Sequence, residues 1–105
     1  MRRESLQGKN DYKIPCISYL NKNNEKVVII SHGLGSSKES PTAKAVSSAL
    51  IDLGIGTIAF DFPAHGDSPV DGEYFSIKNC LDDLAIVESY VNEQLPDAQI
   101  SYFSS

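Results

Sequence analysis

Apolar and polar positions along this chain fall into short blocks that alternate between two spacings. Residues 13–20, Lys-Ile-Pro-Cys-Ile-Ser-Tyr-Leu, read as a strand. Pro15 cannot donate to a ladder, which places that strand near a sheet edge. After the polar turn 21–25, the β-branched run Lys26-Val-Val-Ile-Ile-Ser31 suits a strand covered on both faces. Ser40 then has the character of an N-cap. Pro41 stands at the first helical position, where a missing N–H costs nothing. Ala45, Ala49, Leu50 and Leu53 give this helix an apolar face, and Gly54 gives it a stop. Gly56-Thr-Ile-Ala-Phe-Asp-Phe62 is the next strand. A loop carrying Pro63, Gly66, Pro69 and Gly72 leads to Ser76, the cap of a long helix over residues 77–95. Ile77, Leu81, Leu84, Val87, Val91 and Leu95 form its buried stripe, with Asp82, Asp83, Glu88, Asn92 and Glu93 turned to solvent. Pro96 ends the helix, and Gln99-Ile-Ser-Tyr-Phe103 starts another strand. Residues 1–12 are expected to be flexible.

The order strand, strand, helix, strand, helix, strand implies an α/β fold: a mostly parallel sheet with helices on both faces, joined by right-handed crossovers. A length of 105 residues, 41% of them hydrophobic, allows one small domain with one core. The net charge of −5 repels a phosphate backbone and argues against nucleic acid as a partner. The longest clean apolar stretch, Val27 to Ile30, falls far short of a secretory signal or a membrane span, so a cytoplasmic protein without membrane contact is expected. Cys16 and Cys80 lie far apart, outside any CxxC pair, and read as reduced thiols. No zinc spacing and no acidic cluster suggest a metal, and no cofactor is implied.

In a sheet of this kind chemistry gathers in loops at the carboxyl ends of the strands. Two such loops are His32-Gly-Leu-Gly-Ser-Ser37 and Pro63-Ala-His-Gly-Asp-Ser68, and a third would follow Phe103. In Val27-Val-Ile-Ile-Ser-His-Gly-Leu-Gly35 and Asp61-Phe-Pro-Ala-His-Gly-Asp-Ser68 the chain resembles the α/β-hydrolase family. The likeness is to the N-terminal part of its bacterial serine hydrolases, of the esterase, lipase and aminopeptidase type. Ala64 departs from the pattern, which usually has Gly there.

The resemblance implies a reaction and a division of labour. Acyl transfer through a serine passes through an oxyanion that needs preorganised N–H donors. One donor would be the backbone N–H of Leu34, in a loop that Gly33 and Gly35 let turn tightly after His32. The nucleophile would ride a sharp turn after the last strand, with Ser104 at its first small position and Ser105 next, so the nucleophile is expected just after Ser105. Ser105 itself fits poorly, because Phe103 would then fill the small position. Acid and histidine follow the nucleophile in this family, so no catalytic residue is expected within the chain. His32 and His65 are expected to shape their loops, Asp61 to accept loop N–H groups, Ser36 and Ser37 to belong to the loop, and Asp82-Asp83 to be a solvated helix face. The substrate of the whole parent would be a small ester, thioester or amide; the fragment alone would be inactive and could self-associate through its exposed edge strand. Two alternatives compete: a non-enzymatic α/β binding module, and a nucleotide-binding unit using the loop from Gly33 to Lys38. Lys38 occupies the last place of the dinucleotide fingerprint, where Gly or Ala is wanted.

Overall fold

The computed structural model describes residues 1–104. Ser105, placed by the resemblance one position before the nucleophile, lies outside the described residues. The elements are β1 (Arg2–Gln7), β2 (Lys13–Tyr19), β3 (Lys26–Ser31), α1 (Pro41–Asp52), β4 (Gly56–Phe60), a 3₁₀ turn (Gly72–Tyr74), α2 (Ile77–Gln94) and β5 (Gln99–Ser104). They build a five-stranded sheet in the order β1-β2-β4-β3-β5. β3 pairs in parallel with both β4 and β5, whereas β2 joins β4, and β1 joins β2, antiparallel. The sheet is therefore mixed, with a parallel centre.

The two crossovers run in opposite directions: β3 to β4 steps one way, and β4 to β5 returns past β3. Right-handed connections of opposite direction must put their helices on opposite faces. The side chains divide accordingly. Val27 and Ile29 of β3, with Ile58 and Phe60 of β4, pack with Val87 and Val91 of α2. Ile30 and Ala59 point the other way, onto Ala43 of α1, with Val28, Val46 and Phe103 around them. The alternation is the period-2 geometry of a strand.

Both helices start as the sequence predicts. The Ser40 hydroxyl accepts the Ala43 N–H, and the Ser76 hydroxyl accepts the Asn79 N–H. α1 ends in a Schellman arrangement, with Gly54 N–H on the Ile51 carbonyl, Ile55 N–H on the Leu50 carbonyl, and Gly54 at φ 78°.

Four expectations need correction. Residues 2–7 form a strand on the outer edge of β2, with Leu6 half-buried against the core. β2 is consequently internal, not at an edge. Pro15 is tolerated there because its carbonyl accepts the Asp61 N–H just past the end of β4, so its missing donor falls where the β4 ladder has run out. The inward face of α1 is Ala43, Val46, Ser47 and Leu50, while Ala45, Ala49 and Leu53 are exposed. The hydroxyl of Ser47 bonds that of buried Thr57 at 2.8 Å, a polar pair inside an interface that apolar counting overlooks. On α2 the buried line is Asp83, Val87 and Val91, spaced by four, whereas Ile77 and Leu81 are 82% and 61% exposed.

Asp83 is thus fully buried rather than solvated. Tyr12 donates its hydroxyl to Oδ2 at 2.8 Å, and Oδ1 has no partner among the described residues. Burial pushes the Asp83 carboxyl up to about 6, against the Tyr12 hydrogen bond, which lowers it. A carboxyl raised by folding favours the fold while protonated. Its contribution is present in full below about pH 4 and is lost as pH rises through about 6. Asp83→Asn keeps an acceptor for Tyr12 and removes the charge. It is expected to raise unfolding free energy at about pH 8 by on the order of 2 kcal/mol, and at about pH 4 by almost nothing. Urea unfolding at the two pH values checks this; equal effects at both would contradict it.

Candidate active-site loops

β3 and β4 end side by side, so the segments that follow them are neighbours. Asp61, the residue after β4, is buried and bridges the two. Its Oδ1 accepts the Lys38 N–H at 2.8 Å, and its Oδ2 accepts the Asp67 N–H at 2.9 Å and the Lys38 ammonium at 2.6 Å. This is the loop-accepting role expected of it. Lys38 reaches Asp67 as well, at 2.8 Å, with its side chain 2% exposed. Burial alone would lower the Lys38 ammonium, but the bonds from Asp61 and Asp67 outweigh it and hold the group above its ordinary value. Gly66, at φ 52°, passes so close that a Cβ there would overlap the Asp61 carboxylate.

Above this pair two tight turns face one another. In the first, Ser36 N–H bonds the Gly33 carbonyl at 3.1 Å with Gly35 at φ 77°, a type II turn with Leu34 at its second position. In the second, His65 N–H bonds the Phe62 carbonyl at 3.2 Å, with Pro63 second and Ala64 third at φ 68°. Ala64 thus occupies a left-handed position that suits glycine, which explains why its departure from the family pattern matters physically.

The histidines tie these turns together reciprocally. His32 Nε2 accepts the Phe62 N–H at 3.0 Å, and His65 Nε2 accepts the Gly35 N–H at 2.9 Å. Each Nε2 is an acceptor, so each proton sits on Nδ1. His32 Nδ1 donates to the Gly33 carbonyl at 2.8 Å, and His65 Nδ1 to the Pro63 carbonyl at 2.9 Å. The rings lie 4.8 Å apart, and His65 lies the same distance from Phe75. Burial lowers His32 below its ordinary value, with the Gly33 bond opposing, which favours the neutral ring. Both nitrogens of each ring are thus engaged by the backbone of the two loops.

Of the remaining expected residues, Ser36 lies in the first turn and the Ser37 hydroxyl accepts the Glu39 N–H. Leu34 is 84% exposed, and its N–H has no partner among the described residues. The phosphate-loop alternative fares badly. The amides of Gly35, Ser36, Lys38 and Glu39 are all bonded internally, and the Lys38 ammonium is held by carboxylates. Lys38 was not singled out as structural in the sequence, because its partners lie 23 and 29 residues away and no local pattern marks it. Among the described residues no group of His, Cys, Asp or Glu could hold a metal ion, and no helix is long and apolar enough to cross a membrane. A cleft of about 410 Å³ lies around Tyr19, Asn24 and Ile55 toward the other end of the sheet, and one of about 460 Å³ runs along α1 from Ile51 to Lys38 and Glu39. The two cysteines are unpaired, Cys16 buried and Cys80 half-buried.

The strain at Ala64 is directly testable. Ala64→Gly is expected to raise the unfolding free energy by about 0.5–1 kcal/mol, the left-handed penalty less the greater freedom of glycine when unfolded. Chemical denaturation measures it, and a destabilised variant would contradict the assignment of the turn.

No protein-family profile matches the chain, and no curated protein sequence matches it at a significant level. Solved structures do. An esterase from Pyrococcus furiosus superposes on 98% of the chain with a TM-score of 0.83 at 24% identity, the match taking in 40% of that protein. Est1E from Butyrivibrio proteoclasticus, solved with ferulic acid bound, superposes on 90% of the chain with a TM-score of 0.78 at 25% identity, over 39% of its own length. An α/β serine hydrolase homologue from Coxiella burnetii covers 98% of the chain at 21% identity with a TM-score of 0.81, over 50% of its length. The chain spans about two-fifths to one-half of these proteins. Its fold is that of the α/β hydrolases, of whose domain this chain holds a part.

Proposed function

We propose that this chain is the N-terminal part of a serine hydrolase that cleaves ester, thioester or amide bonds through an acyl-enzyme, and that it contributes one donor of the oxyanion hole. The observation that carries this reading is the exposed Leu34 N–H, without a partner among the described residues, on a type II turn whose Gly35 and Ser36 amides are both bonded. A donor that needs no rearrangement when charge develops is what stabilises an oxyanion. The geometry at β5 supports the missing half. Ser31 and Ser104 are register partners and their hydroxyls lie 3.3 Å apart, so a residue following β5 emerges beside the loop that starts at His32. A nucleophile on that turn would bring the second donor with it. The esterases and serine hydrolase homologue above, which share this fold over the matched part, are about two to two and a half times as long. On this reading residues 1–105 supply no nucleophile, acid or base and turn over nothing alone.

The test begins with the coding sequence beyond Ser105, expected to continue as Ser-x-Gly and later to supply an acid and a histidine. The extended chain should then hydrolyse p-nitrophenyl esters with a burst, while the 105-residue chain stays at the buffer rate. Leu34→Pro deletes the N–H at a turn position that favours proline. In the extended chain it should lower kcat by about 10²–10³-fold with little change in KM. A stop codon after Ser105, or full activity in Leu34→Pro, would overturn the reading; the first outcome favours a binding module.

The same reading makes the outer side of β5 an open edge, since β3 is its one strand partner among the described residues. Ile100 and Phe103 lie half-buried along it and Tyr102 is exposed. Such an edge pairs readily with another chain. The 105-residue chain is expected to give dimers or larger species in concentration-dependent light scattering, and a sharp monomer at high concentration would contradict this.

A further inference from the structure

Two successive peptide planes of the 33–36 turn are each held by a different histidine. The Gly33 carbonyl takes bonds from His32 Nδ1 and from Ser36 N–H. In a trans peptide the N–H points opposite to the carbonyl, so these bonds aim the Leu34 N–H away from the protein. The next plane, Leu34 C=O with Gly35 N–H, is the central peptide of the turn. Types I and II differ chiefly by a flip of that plane, and Gly35 tolerates either sign of φ. The Gly35 N–H is bonded by His65, from the other loop.

We propose that His65 is a positioning residue for the oxyanion loop: its neutral imidazole holds the Leu34–Gly35 peptide in the type II orientation, with the Gly35 N–H engaged and the Leu34 N–H left without a partner among the described residues, and protonation of His65 turns that peptide over. A protonated Nε2 would set a donor against the Gly35 donor, whereas the flipped plane would offer it the Leu34 carbonyl. Histidine is the side chain suited to make such an exchange near neutrality. The charged and titratable groups around the ring are His32 at 4.8 Å and, beneath the two loops, Lys38 with Asp61 and Asp67; Phe75 covers another side. His32 contributes in the same sense. Its value is lowered on folding, so its stabilising effect is complete above about pH 6.5 and fades as pH falls below that. The proposal rests on the hydrolase reading for its consequence, but not for its structural content.

The experiment is the scalar coupling across the N–H···N bond between the Gly35 amide and His65 Nε2 in the isotope-labelled 105-residue chain, followed from about pH 8 to about pH 5. The coupling is expected at the upper pH and lost as the His65 ring protonates, together with a change in the Gly35 HN–Hα couplings that report φ. His65→Gln offers a side-chain acceptor that does not titrate, so its Gly35 signals should lose the pH step. His65→Ala should lose the bond throughout, with Ile29 and Ile30 amides showing whether the sheet survives; if it does not, the glutamine variant decides. A missing coupling at the upper pH, a Gly35 unmoved while the ring protonates, or the same pH step in His65→Gln would each overturn the proposal. In the extended chain the acid limb of kcat should be steeper for wild type than for His65→Gln. An inactive extended chain would remove the hydrolase reading and leave the coupling result standing.

Discussion

Burying the Asp61 carboxylate at the end of β4 costs a large desolvation energy, and the loops around it are arranged to offset that cost. Two backbone amides and the Lys38 ammonium surround it, and the ammonium in turn takes Asp67. A satisfied buried pair of this kind adds little net stability over a well-packed apolar pair of the same volume, yet losing one partner costs about 3–5 kcal/mol. Its effect is geometric. It fixes where the segment after β3 lies relative to the segment after β4, and Gly66 is needed because any side chain there would strike the carboxylate. The crossed imidazoles depend on that spacing, since each must reach an amide on the opposite loop.

Geometry of this sort separates what was legible in the sequence from what was not. Ser40 and Ser76 announced the helix starts because capping is a local matter, settled within three residues. The strands that became β3 and β4 were legible from β-branched runs, and the role of Asp61 from the turn chemistry around it. The family likeness pointed to the right fold through residues 27–35 and 61–68, the segments now found side by side.

Three of the misreadings share one origin. Lys38 looked like a spoiled phosphate loop, Asp83 like a surface acid, and Pro15 like an edge marker. Each is explained by a partner remote in sequence: Asp61, Tyr12 and the end of β4. The inward face of α1 was missed because Ser47 sits in it, bonded to Thr57 on the strand beneath. β1 carries one half-buried leucine among charged and polar residues, too little apolar signal to show without knowing that β2 offers it an edge. Ile77 and Leu81 were read as buried because helical spacing reports periodicity, not what covers a given turn.

The strand order carries an implication for how the chain assembles. β2 follows β1 and precedes β3 in sequence, yet its inner neighbour is β4, with β3 one place further on. The hairpin of β1 and β2 can form from local contacts, and so can the β3-α1-β4 unit. Neither can be joined to the other until β4 has been laid down, because Cys16 must find Phe60 across the whole of that unit. Closing so long a loop is slow relative to forming either piece. The seam between these two locally paired pieces is therefore β2 against β4, at whose end Asp61 sits.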